Sequence, residues 1–381
     1  MGIASFNYIK KSRNILGNLF TWVEKIEVID NKTILFSLKR QVPQFLKVLS
    51  STNYTIFKKD FLKQARKDKN LWKKPMGCGG YKVTGFNNEY IKLTPVSKGM
   101  PIIFYLSKDS QIDANELGRY DIVTVNVIGN SKELNDFNVL EMFDPAQFFV
   151  GLNAKSKIWK NKYDRCKFLA ELDTQYLLSS YDGAIAANDL LPKGTLGYSA
   201  NQNFNNQIIN LSKKSVSHEL NSKLKSFCLS YLTVSIQEKH KNEYLNMFRK
   251  FHPNVFMRPI KNVKKFGKDF VSENCDALLF AWKSNYLDGY EYLTMFEDND
   301  ANFSGIYNKN LSDQILKSQD ISSAANRAKE YQKIIKEVGD FCIVRPLFTL
   351  PTKRIYVRKN LKTPGIGLIS IHQYYLGNIS R

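Results

Sequence analysis

A chain of 381 residues is too long for one ordinary hydrophobic core, and its length points to two or three domains. With 43% hydrophobic and 13% aromatic residues it has ample material for burial, which excludes a disordered chain. Fifty-six basic against 35 acidic side chains leave a formal charge of +21, a surface that attracts polyanions. That charge is spread through "IKKSR", "FKKDFLKQARKDKNLWKK", "KNVKKFGKD" and "TKRIYVRKNLK". Without a recognition motif, it reads as a solvated surface and speaks against a nucleic-acid groove.

In chain order, the opening "MGIASFNYIKKSRNILGNLF" has no continuous apolar run, and "MGIASF" gives only a short cue for myristoylation. No other stretch approaches the ~18 apolar residues of a membrane span. Neither a signal peptide nor a transmembrane segment is expected. "VEKIEVIDNKTILFSLK" alternates at Ile26 and Val28, breaks at Asp30-Asn31, and alternates again at Ile34, Phe36 and Leu38. This predicts a β-hairpin around an Asx turn. "PQFLKVLSS" and "KKDFLKQARKD" read as short helices. The glycine loop "KKPMGCGGYKVTGF" leads into strands at Tyr81 and at "YIKLTPV".

Further strands are expected at "DIVTVNVIG", "FFVGLNAKS", "YLTVSIQ" and "CDALLFAW". One helix is expected over "YDRCKFLAELDTQYLLSSY", with Cys166, Leu169, Leu172 and Tyr176 on one face. A longer helix is expected over "SSAANRAKEYQKIIKEVG", with Ala324, Ala328, Tyr331, Ile335 and Val338 inward, Ser322 or Ser323 as cap, and Gly339 at its end. Strands alternating with helices define an α/β chain.

The chemistry-bearing residues are sparse. Cys78, Cys166, Cys228, Cys275 and Cys342 are too widely spaced for any CxxC pair, so neither zinc nor a dithiol centre is indicated. Their odd number leaves at least one thiol free, and they read as small apolar packing residues. His218, His240, His252 and His372 sit in no ligand spacing. "GCGGYKVTG" lacks the GK[ST] ending of a phosphate loop and leads into a strand. Asp164, Glu171 and Asp173 read as solvated helix carboxylates. No residue set calls for an enzyme, a metal or a cofactor.

Six stretches in order resemble the family 5 extracellular solute-binding proteins, receptors for peptides and nickel in ABC importers. "KIEVIDNKTILFSLKRQVPQFLKVLSS" is similar to the family's hairpin, and "KKPMGCGGYKV" to its "P-hydrophobic-GTGPY" loop, with Cys78 and Gly80 in place of threonine and proline. "FFVGLNAKSKIWKNKYDRCKFLAELD" resembles the crossover strand and the "D-x-R-x-A" helix, matching at Asn153, Asp164 and Arg165. "LLPKG" is similar to an "LPPG" loop, "CDALLFAWKSNYLDGYEYLTMF" to a "W-x-x-D-Y-x-D-P" segment, and "RAKEYQKIIKEVGDFCIVRPLF" to an R-x-x-x-Y helix ending in "P-L-Y".

The resemblance implies a two-lobed type II periplasmic-binding fold with hinge strands. Residues 1–70 would be a remnant of a small second domain, 71–150 the first lobe, 151–345 the second lobe, and 346–381 a return to the first. The first lobe would lack its opening strands, leaving apolar surface open; a downstream start, a split gene or a degraded copy would each produce this. The implied function is a non-catalytic receptor that traps a peptide or similar solute by lobe closure and hands it to a permease and ATPase, in the periplasm or at the membrane. A cytosolic sensor on the same fold and a basic nucleic-acid-binding protein are the alternatives.

Trp282, Asn285, Tyr286, Gly79 and Tyr81 are the expected ligand residues, and Asn153 and Pro346 the expected hinge. Asn285 stands where peptide-binding members carry the acid that meets the peptide's amino group. An amide there supplies no countercharge. Asp288 reads as structural.

Overall fold

A computed structural model describes residues 2–11, 22–50, 54–105, 111–124, 126–128, 132–142, 146–181, 184–201, 203–214, 226–236, 240–262, 265–284, 287–349, 353–361, 367–370 and 373–375. The chain forms two units, one of residues 1–40, 44–144 and 352–381, the other of 41–43 and 145–351.

The first unit opens with helix α1 (Gly2–Lys11) and the hairpin β1 (Val23–Val28) and β2 (Ile34–Leu38). Its register pairs Ile26 with Phe36 and Val28 with Ile34, as the alternation requires. The turn is tied by Asp30, which accepts from the backbone of Lys32 and Thr33 at 2.7 Å each. Helices α2 (Phe45–Leu49) and α3 (Lys59–Ala65) follow. Phe61, Leu62 and Ala65 of α3 pack with Tyr8, Phe57 and Trp72 in a small cluster confined to this part of the chain. The Ser5 hydroxyl joins α1 to Phe57, accepting from its N–H at 2.8 Å.

Strands β3 (Tyr81–Phe86), β4 (Tyr90–Pro95) and β5 (Ile102–Tyr105) form an antiparallel sheet. Beyond it lie β6 (Gln111–Asp113), β7 (Ile122–Val123), β8 (Asn126–Ile128) and β9 (Phe137–Met142). The single strand expected over "DIVTVNVIG" is therefore two: β7 and β8 belong to different sheets.

The second unit is built on one six-stranded mixed sheet. Its elements in order are β10 (Ala146–Leu152), α4 (Lys162–Glu171), α5 (Thr174–Ser180), β11 (Ile185–Ala186), α6 (Phe204–Ser212) and β12 (Phe227–Leu232). Then come α7 (Lys241–Arg249), β13 (Val255–Ile260), α8 (Phe266–Ser272), β14 (Ala277–Lys283), α9 (Tyr290–Leu293), α10 (Lys309–Ser318), α11 (Ala324–Phe341) and β15 (Val344–Thr349). Strand order is β11-β15-β10-β14-β12-β13. β10, β12 and β15 are buried along their whole length, as strands covered on both faces must be. Directly opposed pairs hold the centre: Phe148 stacks on Phe348 at 4.5 Å and Phe149 on Phe280 at 5.3 Å.

Several expectations change here. The strand placed over "YLTVSIQ" is β12, which ends at Leu232 before a turn at Thr233–Ser235. The single helix over 163–181 is two, because Asp173 starts α5 by accepting from the Tyr176 N–H. Ser323 caps α11 as expected, but Gly339 lies inside that helix, and Cys342 ends it in the left-handed region at φ 47°. A Cβ on Gly339 would lie 2.5 Å from the end of the Gln207 side chain of α6, which would have to move aside. Arg327 takes the inward place expected of the exposed Ala324.

The cysteines are the largest correction: Cys166 is bonded to Cys342, and Cys228 to Cys275, while Cys78 is free and exposed. The first bond joins α4 to the end of α11, and two arginines beside it cap the ends of these helices, Arg165 from α4 and Arg345 from β15. Arg165 donates to the Phe341 carbonyl at 2.9 Å, and Arg345 to the carbonyls of Leu169, Ala170 and Leu172. These are the carbonyls a helix end leaves unpaired. Burial pulls the Arg345 guanidinium down to about 10.

The chain re-enters the first unit through β16 (Lys353–Arg358), which lies between β7 and β9 and brings Ile355, Tyr356 and Val357 to its core. The hairpin β17 (Gly367–Ser370) and β18 (Gln373–Tyr375) follows.

Candidate functional site

The aromatic segment that follows β14 is the site's framework. β14 is buried from Ala277 to Phe280, and its last three residues, Ala281, Trp282 and Lys283, emerge to partial exposure. Trp282 packs against the Phe266 ring at 5.6 Å, and its indole N–H donates to the Glu291 carbonyl at 2.7 Å. The indole is thus oriented by α9 rather than left to rotate. Ser284 makes three contacts. Its N–H donates to the Tyr292 hydroxyl at 3.3 Å, its own hydroxyl donates to the Glu291 carboxylate, and that same oxygen accepts from the Asp288 N–H at 3.2 Å.

Asp288 is fully buried and anchors this segment to the rest of the unit. One carboxylate oxygen accepts from the Tyr331 hydroxyl at 2.6 Å and from the Tyr290 N–H at 3.1 Å. The other lies 3.7 Å from the Arg327 guanidinium, whose Nη1 also donates to the Ile321 carbonyl at 2.7 Å. Arg327 and Tyr331 are four residues apart on α11, the spacing that puts both on one face. Burial, and then the neighbouring Asp288 carboxylate, pushes the Tyr331 hydroxyl above its ordinary range, so it remains a donor.

The loop of "LLPKGTLGY" closes the third side. Leu196 donates to the Leu287 carbonyl and accepts from the Gly289 N–H, both at 3.0 Å, in a short parallel bridge. Gly289 is required by that approach: a Cβ there would sit 2.6 Å from the Leu196 oxygen. Three stretches separated in sequence, around 191–197, 282–292 and 327–331, therefore lock together on Asp288.

The expected site residues fall as follows. Trp282 lies at this framework, while Asn285 and Tyr286 lie outside the described residues. Gly79 and Tyr81 belong to the first unit. A Cβ on Gly79 would meet nothing within 4 Å among the described residues, and Tyr81 is 37% exposed. Their loop is pinned by a bridge between Phe57 and Gly77 and by the Val96 N–H donating to the Gly80 carbonyl at 2.8 Å.

Asn153 is fully buried at the end of β10, where its amide donates to the Cys275 carbonyl at 3.1 Å. Pro346 lies within β15 opposite Phe149. Both sit inside the second unit. Arg327 and Tyr331 are the arginine and tyrosine of the R-x-x-x-Y stretch that the sequence shares with the family, and Tyr331 was expected to face inward; that they hold Asp288 was not expected. Among the described residues no cluster of histidine, cysteine or carboxylate side chains could hold a metal ion, and no helix is long and apolar enough to cross a membrane.

Asp288, Glu291, Arg327 and Tyr331 are thus engaged in fixing this aromatic segment. The comparisons give the class of the protein. Residues 3–304 match the model of the bacterial extracellular solute-binding proteins, family 5 (middle), and the chain belongs to that family. No curated protein matches it in sequence.

Solved structures that resemble it include HbpA2 from Haemophilus parasuis, at 14% identity and a TM-score of 0.71, covering 100% of this chain and 82% of that one. The periplasmic binding protein DppA from Helicobacter pylori, in complex with the peptide STSA, shares 16% identity at a TM-score of 0.70, covering 98% of this chain and 81% of that one. A dipeptide binding protein from Pseudoalteromonas, in complex with Met-Leu, shares 13% at 0.66, covering 94% and 75%. The fold is the two-lobed type II periplasmic-binding fold of this family.

Proposed function

We propose that this protein is the peptide-receiving component of an ABC importer, working outside the cytoplasmic membrane and passing its ligand unaltered to a permease driven by an ATPase. The observation that carries this reading is the match to the solute-binding family over residues 3–304, which spans the β14–α9 framework around Trp282. The peptide complexes among its structural neighbours support a short peptide as the ligand class. Trp282, with Asn285 and Tyr286, would supply the aromatic wall, and the loop of Gly79 and Tyr81 a second contact. The reading is non-catalytic, because Asp288, Glu291 and Tyr331 are engaged in holding their own segment.

The two disulfides favour a location outside the cytoplasm over a cytosolic sensor, since such bonds persist in oxidising compartments. Thermal melting of the disulfide-intact protein with and without a mixed library of short peptides tests the proposal. A rise in melting temperature with peptide concentration is expected, because a ligand that binds only the native state stabilises it by mass action. Cooperative melting that no peptide shifts would overturn peptide as the ligand.

A further inference from the structure

We propose that Asp288, Tyr331 and Arg327 form a positioning clamp that sets the orientation of the Trp282 indole, so that α11, remote from the indole in sequence, tunes ligand affinity. The inference rests on the binding reading above. The path is continuous. Tyr331 and Arg327 hold the Asp288 carboxylate, and Asp288 holds the first turn of α9 through the Tyr290 N–H. Its own N–H grips Ser284, Ser284 grips the Glu291 side chain, and the Glu291 carbonyl receives the indole N–H.

Three observations argue that the clamp fixes a geometry instead of merely adding stability. Its ion pair is buried, at 3.7 Å, and among the described residues one Asp288 oxygen and the Arg327 Nε have no hydrogen-bond partner. A pair so incompletely satisfied adds little that apolar packing would not match. Leu287, next to Asp288, is held at φ 56°, a conformation a branched residue adopts only when its surroundings impose it. Gly289 then allows the Leu196 backbone to close on the segment from the other side. Strain, a buried charge and a tight backbone approach meet at one turn, and that turn orients the aromatic residue at the mouth of β14.

The test uses protein labelled with 5-fluorotryptophan, whose four tryptophans give separate fluorine resonances, with Trp282→Phe assigning the relevant one. Tyr331→Phe removes one hydroxyl. Tyr244→Phe removes another buried hydroxyl of the same unit, which is bonded to Tyr181 at 3.1 Å and not to a clamp residue. In folded Tyr331→Phe the Trp282 resonance is expected to shift or broaden while that of the buried Trp159 stays, and affinity for the mixed peptides to fall about tenfold. Tyr244→Phe is expected to change neither. An unmoved Trp282 resonance in Tyr331→Phe, or an equal change in Tyr244→Phe, would overturn the proposal. Should Tyr331→Phe fail to fold, Asp288→Asn is read in the same way. If the wild type binds no peptide, the peptide reading fails, and the fluorine spectra still decide the clamp.

Discussion

The central sheet of the second unit and the β3–β5 sheet of the first are used in opposite ways. In the second, Phe149 and Phe280 are fully buried at the centre of a sheet whose middle strands have no exposed side. In the first, the register of β3, β4 and β5 gathers Tyr81, Val83, Phe86, Ile91, Leu93 and Phe104 on one face. None of these is buried, and Phe86 and Phe104 are 41% and 39% exposed. The opposite face carries Lys82, Thr84, Lys92 and Thr94 together with Tyr90, Ile103 and Tyr105, so neither face of this sheet has a core among the described residues. Burial drives folding roughly in proportion to apolar area removed from water, so the second unit carries most of the stability and the β3–β5 sheet little.

The sharpest way to break this contrast is to delete one ring in each place. Phe280→Ala, which also removes contacts with Phe266 and Phe303, is expected to cost about 3–5 kcal/mol. Phe104→Ala should cost under about 1 kcal/mol, in keeping with an exposed site. Chemical denaturation compares the two, and equal losses would mean that the open face is covered in solution. Replacing Cys166 and Cys342 with serine is the next largest change, expected to cost about 2–4 kcal/mol because the bond closes a separation of 176 residues. The loss should appear in the melting of the second unit alone, and Arg165 and Arg345 should keep their helix-end bonds. A matching loss in the first unit would contradict the division of stability.

How much of this was legible in the sequence depended on distance along the chain. The β1–β2 hairpin was readable because period-two alternation and the Asp30 turn are local signals. The helix of Arg327 and Tyr331 was readable for the same reason. Strand β12, "FCLSYL", was placed too late, over "YLTVSIQ", because burial on both faces erases alternation while the later stretch shows a pattern that in fact spans a turn. The disulfides were not legible, since partners 176 and 47 residues apart leave no spacing signature. Nor was the clamp, because Asp288 and Tyr331 meet across 43 residues. The family resemblance located the three stretches that converge there but not what joins them.

The last expected effect depends on pH and belongs to one buried carboxyl of the second unit. Asp189 is buried, receives the Leu190 N–H at 2.7 Å and the Ser199 N–H at 3.4 Å, and is pushed up to about 6 by burial, from an ordinary 3.8. The native state therefore holds this proton more tightly than the unfolded chain does. Stability from this group is full below pH 3.8, falls as pH rises through about 6, and stays at its lower value above. The span of roughly 2 pH units caps the loss at about 3 kcal/mol. Asp189→Asn removes the charge while leaving an acceptor for Leu190. The variant should gain on the wild type in urea unfolding as pH rises from 4.5 to 7.5. A gain that is constant across that range would show that the Asp189 carboxylate is ionised without penalty, and that this part of the second unit is wetter than its buried core.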